Sequence, residues 1–264
     1  MAELRVNIEQ GNEIFYAHAT DFLGCFAKAP SRSEVIDALL KDVKNYSEWI
    51  LSKEINNTYK IIAKEFQQGI NEIEIIEEQT DIENLGEQNG SSAFFKSDTE
   101  ELSDEMFNFY IQLVKYLTDD LARLVFHLSK EELNQEILID KPTINQELTK
   151  IYHTELNFIS IFGEEIEQKF LEAINLTRDE LESLSILEKM LEVKQGAVAI
   201  LRFYYPKIEN KEFKNKKTNE LPEETWTLKK IMRKLIELER EQLTRIQFLV
   251  NALTISKVEK KEIK

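Results

Sequence analysis

The sequence predicts an α+β protein, a small ββ(β)α domain followed by an all-α antiparallel four-helix bundle, and three observations carry this. Only 7 Gly and 4 Pro occur in 264 residues, so long helices with short connections are favoured over a loop-rich or all-β fold. Apolar residues alternate with polar ones near the N-terminus, the period of a half-buried strand. From Ser103 onward they recur at three- and four-residue steps, the period of a helix face. At about 100–200 residues per domain the length suggests two domains. Their expected limits are 1–80 for the α+β domain, 81–102 for an acidic connection, 103–255 for the bundle and 256–264 for a charged tail.

Leu4, Val6 and Ile8 form the first alternating run, and Ile14, Tyr16 and Phe22 the second, with Gly11-Asn12 as the hairpin turn between them. Asp21 to Pro30 leads through Ser31 and Ser33 into a helix whose Val35, Leu39, Val43, Tyr46 and Ile50 share one face. Tyr59, Ile61 and Ala63, and then Ile73 and Ile75, are expected as two further short strands separated by Gln68-Gly69. Asp and Glu dominate Glu72 to Glu105, which is therefore expected to be a solvated acidic connection with a strand in it. It lacks the spacing of a compact calcium loop.

Ser103 is placed to start the first bundle helix, with Met106, Tyr110, Leu113, Leu117, Leu121, Leu124 and Leu128 as its seam. Ser129-x-x-Glu132, Thr143-x-x-Gln146 and Thr177-x-x-Glu180 are capping boxes, the last opening a helix expected to run to Pro206. Thr227 caps the final helix, behind Trp226 as a hydrophobic staple. Leu228, Ile231, Leu235, Leu238, Gln242, Ile246 and Leu249 follow as its inner face. Gln242 is the polar member of that stripe and is expected to be a satisfied core group.

A formal net charge of −15 argues against binding that relies on neutralising nucleic-acid phosphates. Cys25 is the only cysteine, which excludes an intrachain disulfide and a cysteine-based zinc site. The N-terminus lacks a signal-peptide pattern and no run approaches a membrane span, so a cytoplasmic protein without membrane contact is expected. His18 is expected to be an ordinary packed or edge residue, and His127 a favourable charge at a helix C-terminus.

Two resemblances follow. Leu23-Gly24-Cys25-Phe26 at a turn and Ser31 to Ala38 at a helix start resemble the HicB-like antitoxin domain over roughly the first fifty residues. Members usually add a helical DNA-binding module, and no such module is legible here. The domain is therefore read as one reused for contacts or ligand binding. The segment from Phe94 to Leu133, the TINQELTKIYHTELNFISIFG stretch and the Trp226 helix together resemble the DinB-like superfamily of four-helix bundles over about residues 94–250. Many members hold a divalent metal through three histidines.

Carried over, those histidine positions are Lys150, Leu238 and Gln242, none of them a good ligand for zinc or nickel. The resemblance thus implies a degenerate metal site, with a candidate pocket of Lys150, His153, Glu155, Lys194, Leu238 and Gln242, no catalytic residue and no cofactor. A shifted register would instead recruit His153 and Glu155 with Glu237 or Glu241 as ligands, although Glu237 and Glu241 fit the charged face better. Lys194 takes a seam position and is expected to snorkel to the bundle end in preference to pairing with Glu155.

Three functions stay open: a non-catalytic binding or scaffold protein, a divalent-metal-dependent DinB-like enzyme of the thiol transferase or isomerase type, and a HicB-type antitoxin-like regulator. The expected partner is a small molecule or a protein of unknown identity, with homodimerisation left open.

Overall fold

Alternating residues of an extended chain point to opposite sides, and here both sides are covered. β1 (Ala2–Gln10) pairs antiparallel with β2 (Phe15–Ala19), Val6 opposite Ala19 and Ile8 opposite Ala17. The turn between them is closed by the Gly11 N–H donating to the Ile14 carbonyl at 3.0 Å. The structure is a computed structural model that describes residues 2–55, 57–85, 91–163, 165–208, 212–215 and 223–262. β3 (Phe26–Ala29) pairs antiparallel with β2. α1 (Arg32–Leu51) and α2 (Asn57–Gln68) then form the crossover that a parallel pairing needs. β4 (Ile70–Gln79) returns beside β1 in parallel, giving the strand order β3-β2-β1-β4.

Ser31 caps α1, and Val35, Leu39, Val43, Tyr46 and Ile50 are all buried, as their spacing predicts. The Tyr46 hydroxyl donates to the Leu23 carbonyl at 2.9 Å. Gly24 is needed at that loop: its φ is +87°, and an added Cβ would lie 2.6 Å from Ile236.

Two expectations fail in this region. The strand expected at Tyr59, Ile61 and Ala63 is helix α2, because Ala63 and Phe66 are the positions that bury and they are three residues apart. The acidic connection is not solvated throughout. Ala93, Phe95, Asp98 and Leu102 are buried, and Lys96–Thr99 forms a 3-10 turn, while residues 86–90 of the connection lie outside the described residues.

The remaining elements are α3 (Asp104–Val125), α4 (Lys130–Leu133), α5 (Ile144–Ser160), α6 (Glu165–Ile174), α7 (Arg178–Ser183), α8 (Ile186–Ile208), β5 (Phe213–Lys214) paired with β6 (Thr225–Trp226), and α9 (Leu228–Glu262). All three capping boxes form. The one at Thr177 opens only the short α7. The chain leaves the helical region at Leu184 and restarts at Ser185, whose hydroxyl accepts from the Glu188 N–H, so the single helix expected to Pro206 is two. α6 was not expected, and α9 runs on to Glu262, into the residues expected as a tail, of which 263 and 264 lie outside the described residues.

One apolar cluster draws Leu121 and Val125 from α3, Leu148 and Ile151 from α5, Met190 from α8, and Ile246, Leu249 and Leu253 from α9. Four long helices thus share a core, the mixed α+β character being that predicted.

The chain divides into two compact units: Met1–Gln112 with Ile208–Glu237, and Leu113–Lys207 with Leu238–Lys264. This division differs from the expected limits near residues 80 and 103. It assigns the 91–102 segment, the start of α3 and the start of α9 to the N-terminal unit, for reasons that lie in that unit's buried charges. Among the described residues no helix is long and apolar enough to cross a membrane.

Candidate functional site

The start of α9 is buried nearly all round. Leu228, Ile231, Met232, Leu235 and Ile236 are at most 2% exposed, and so is Lys230. Burying charge is costly unless each group finds a partner, and within the N-terminal unit each does. Asn7 and Glu9 of β1 share a sheet face with Tyr16 and His18 of β2, since Glu9 pairs with Tyr16 and Asn7 with His18. His18 Nε2 lies 2.9 Å from Glu9 Oε1, and Nδ1 lies 2.7 Å from Glu237 Oε1. Carboxylates only accept, so both ring nitrogens donate and the ring is an imidazolium. Burial alone would push its pKa down, but Glu237 and then Glu9 outweigh this and raise it.

Around that imidazolium the charges close on one another. Glu9 Oε2 accepts from the Ala93 N–H at 2.6 Å, and Lys234 stands 3.9 Å from Oε1. Burial pushes the Glu9 carboxyl up, and Lys234, His18 and Arg233 together hold it far below the ordinary range. Arg233 grips Asp98 with both ends of its fork, Nε at 3.0 Å and Nη2 at 2.8 Å, and lies over the Phe95 ring. Burial pushes Asp98 up as well, and Arg233 reverses this and lowers it.

Lys230 donates to Glu224 at 2.8 Å and to the carbonyls of Ser92 and Thr225 at 3.2 Å, over the Trp226 ring. Thr227, the expected cap, accepts from the Lys230 N–H and donates to the Asp98 carbonyl at 2.6 Å. This network bolts α9 and the 91–99 segment onto the sheet. It offers no free lone pair on His18 for a metal or for general base work.

A second buried charge group lies in the helical unit. Lys194 of α8 is 1% exposed, and its ammonium donates to Glu155 of α5 at 2.6 Å and to Glu239 of α9. Two carboxylates on one ammonium leave an excess of acceptors. Burial raises the Glu239 carboxyl well above its ordinary value; Lys194 pulls it down without prevailing, and Glu155 adds to the rise. Burial lowers the Lys194 pKa, but Glu155 and Glu239 reverse this and raise it. Glu155 Oε2 has no hydrogen-bond partner, and neither has Oε1 of Gln242, which is 6% exposed and one turn beyond Glu239 on α9.

Of the residues proposed from sequence, Glu155 and Lys194 meet directly. Lys194 does not snorkel, because Glu155 and Glu239 supply the counter-charge that keeps it inside. Gln242 is buried as expected, yet its carbonyl oxygen is not satisfied. Lys150 is exposed and donates to Glu147 at 2.8 Å, Leu238 is half-buried, and His153 is on the surface.

The ligand set of the shifted register is dispersed. Glu237 binds His18, contrary to its expected place on the charged face, and Glu241 pairs with Arg245. Among the described residues no group of three or more His, Cys, Asp or Glu is placed to hold a metal ion.

His18 is packed, as one of its expected readings had it, but within a charge network that sequence reasoning missed: its partners Glu9 and Glu237, and beside them the Arg233–Asp98 pair. A signal for Glu239 did exist. Leu235, Glu239, Gln242, Ile246 and Leu249 step by four and three residues, so Glu239 belongs to the seam in which Leu238 was expected.

No protein-family model and no curated protein matches the chain. Among solved structures it is similar to YfiT from Bacillus subtilis, described as a probable metal-dependent hydrolase with an unusual four-helix bundle topology. The identity is 15%, the match covers 62% of this chain and 95% of that one, and the TM-score is 0.39.

Proposed function

We propose that the chain is a non-catalytic binding or scaffold protein whose helical unit keeps a DinB-like arrangement without the metal chemistry, attached to a HicB-like domain used for contacts. The observation that supports this best is Lys194. Its ammonium is engaged by two buried carboxylates of the helical unit, Glu155 and Glu239, and so neutralises oxygens that a divalent ion would need. The N-terminal unit points the same way, since His18 donates through both nitrogens and has nothing left to accept a proton or bind a metal. The residues present, Lys150, Leu238 and Gln242, do not fit a three-histidine metal site.

The test is the metal content of protein purified without a histidine tag, together with its melting temperature with and without a chelator. Sub-stoichiometric metal and an unchanged melting temperature are expected. Stoichiometric zinc, nickel or manganese, with a chelator-sensitive melt, would overturn the proposal.

A second reading, a divalent-metal-dependent enzyme, draws on the two buried oxygens without hydrogen-bond partners, Glu155 Oε2 and Gln242 Oε1. Oxygen donors of this kind suit manganese, magnesium or calcium better than zinc. Under that reading manganese would be the metal found, and Lys194 would have to leave its carboxylates when the ion enters.

A further inference from the structure

A strand at the end of a sheet pairs its backbone on one side and presents a row of N–H and C=O groups on the other. β4 is such a strand. It is ten residues long and runs beside β1, and among the described residues no strand lies on its other side. Its side chains report the same opening. Ile73 and Ile75 are half-buried, although Leu4 and Val6, their partners in β1, are 1% and 0% exposed. No residue of β4 is fully buried, and Ile76 is 46% exposed. An apolar sheet face that loses its cover at the last strand is one that a further strand would complete.

The charged residues of β4 define what that strand would carry. Glu72 and Glu74 alternate with Ile73 and Ile75 and so share the opposite face, and Glu78 is exposed further along. The nearby cations are already paired. Arg5, opposite Glu74 in β1, is held by Asp21 at 2.7 Å, and Arg32 of α1 takes Glu78 at 3.1 Å. Among the described residues this leaves Glu72 and Glu74 without a cation at ion-pair distance. A second copy is the wrong occupant. Two β4 edges laid together would set these carboxylates along one another, and like charges on facing strands destabilise the pair.

We propose that the outer edge of β4 is a docking edge for an extended basic segment of another protein, in which Lys or Arg alternates with apolar residues, added to the four-stranded sheet as a fifth strand. Its cations face Glu72 and Glu74, and its apolar residues cover Ile73 and Ile75. Backbone hydrogen bonds to β4 supply affinity, while the carboxylates select the partner and turn away a second copy. The inference gives the contact role proposed above for this domain its partner, and rests on that reading.

The experiment uses the full chain and end-blocked synthetic peptides of about eight residues, within the ordinary range of strand length. One alternates lysine with valine, a second lysine with proline, and a third glutamate with valine. Binding is followed by fluorescence anisotropy, and hydrogen exchange is measured along β4. The lysine–valine peptide is expected to bind, to weaken with added salt and to slow the exchange of β4 amides. The lysine–proline peptide carries the same charge but cannot contribute a full ladder, and is expected to bind at least about ten-fold more weakly. Glu72→Lys combined with Glu74→Lys changes only exposed side chains. It is expected to weaken the lysine–valine peptide at least about ten-fold and to admit the glutamate–valine peptide. Should its melting temperature show that it does not fold, Glu72→Gln with Glu74→Gln takes its place and is expected to show the loss without the gain.

Equal binding of the lysine–valine and lysine–proline peptides, unchanged exchange in β4, or a double variant that binds as the native chain does overturns the inference. So does the absence of binding, or a dimer of the chain alone that protects β4. Stoichiometric metal in the purified chain would overturn the non-catalytic reading and leave the peptide results as they stand, so the two failures are distinct.

Discussion

His18 shows how a single residue acquires its role from what surrounds it. Its imidazolium bridges Glu9 and Glu237, so replacing it by a ring of similar shape without charge removes a hydrogen-bond donor from each of two buried carboxylates. His18→Phe is therefore expected to destabilise the chain by roughly 3–5 kcal/mol, the usual loss on breaking a buried pair, read as a lower urea midpoint. The pH dependence has a definite sign. The raised His18 pKa contributes stability that is complete below about pH 6.5 and is lost as the pH rises through the folded-state value. The raised Glu239 pKa acts in the same direction, because the folded state holds a proton that the unfolded chain releases above about pH 4.3. Glu9 and Asp98 are lowered and oppose this on the acid side, contributing stability above about pH 4 that is lost as the pH falls. Glu239→Gln keeps a donor toward Glu155 without a titrating proton. It should gain on the order of 1 kcal/mol at pH 8 and flatten the alkaline limb of a plot of urea midpoint against pH. An unchanged alkaline limb would show that Glu239 is ionised in the folded chain.

At the level of elements, much was legible in advance. Thr143, Thr177, Ser129 and Thr227 all cap where their spacing places them, because a cap is a local event settled by a hydroxyl and the next N–H groups. The apolar face of α1 was equally plain. What misled was charge on helices and strands with both sides covered. The polar residues of β1, Asn7 and Glu9, look like a solvent face and are instead buried beside His18. Arg233, Glu237 and Glu239 look like the outer surface of α9 and are at most 6% exposed. Periodicity separates two faces but does not say that the polar one meets water; that depends on a distant segment, here residues 91–99, bringing matching charges. Gly196 makes the same point for α8. On an exposed helix Gly→Ala gains up to about 1 kcal/mol. Here an added Cβ would lie 2.2 Å from the Phe170 ring of α6, so Gly196→Ala is expected to lose roughly 1–3 kcal/mol through overpacking, seen as a drop in melting temperature.

For the whole molecule the consequence concerns where it can be cut. Sequence pattern places a domain limit near residue 80 or 103, but the N-terminal unit draws Ile208–Glu237 from far along the chain. Without that segment Glu9, His18 and Asp98 lose Lys234, Glu237 and Arg233, and the hydrophobic cover of Leu228, Ile231 and Met232 goes with them. A fragment of residues 1–112 would thus keep its sheet and α1 but expose a face carrying two carboxylates and an imidazole left with Glu9 alone. Uncovered charges on a sheet face hydrate readily, yet the apolar residues that surround them, such as Phe95, do not. The fragment is expected to melt without cooperativity in circular dichroism. The same fragment joined through a flexible linker to residues 223–237 is expected to recover a cooperative transition and slow amide exchange in β1 and β2. Cooperative melting of residues 1–112 alone would show that the buried charge network is an addition to a domain already complete. Loss of cooperativity that the 223–237 segment repairs would identify the start of α9 as part of that domain's core.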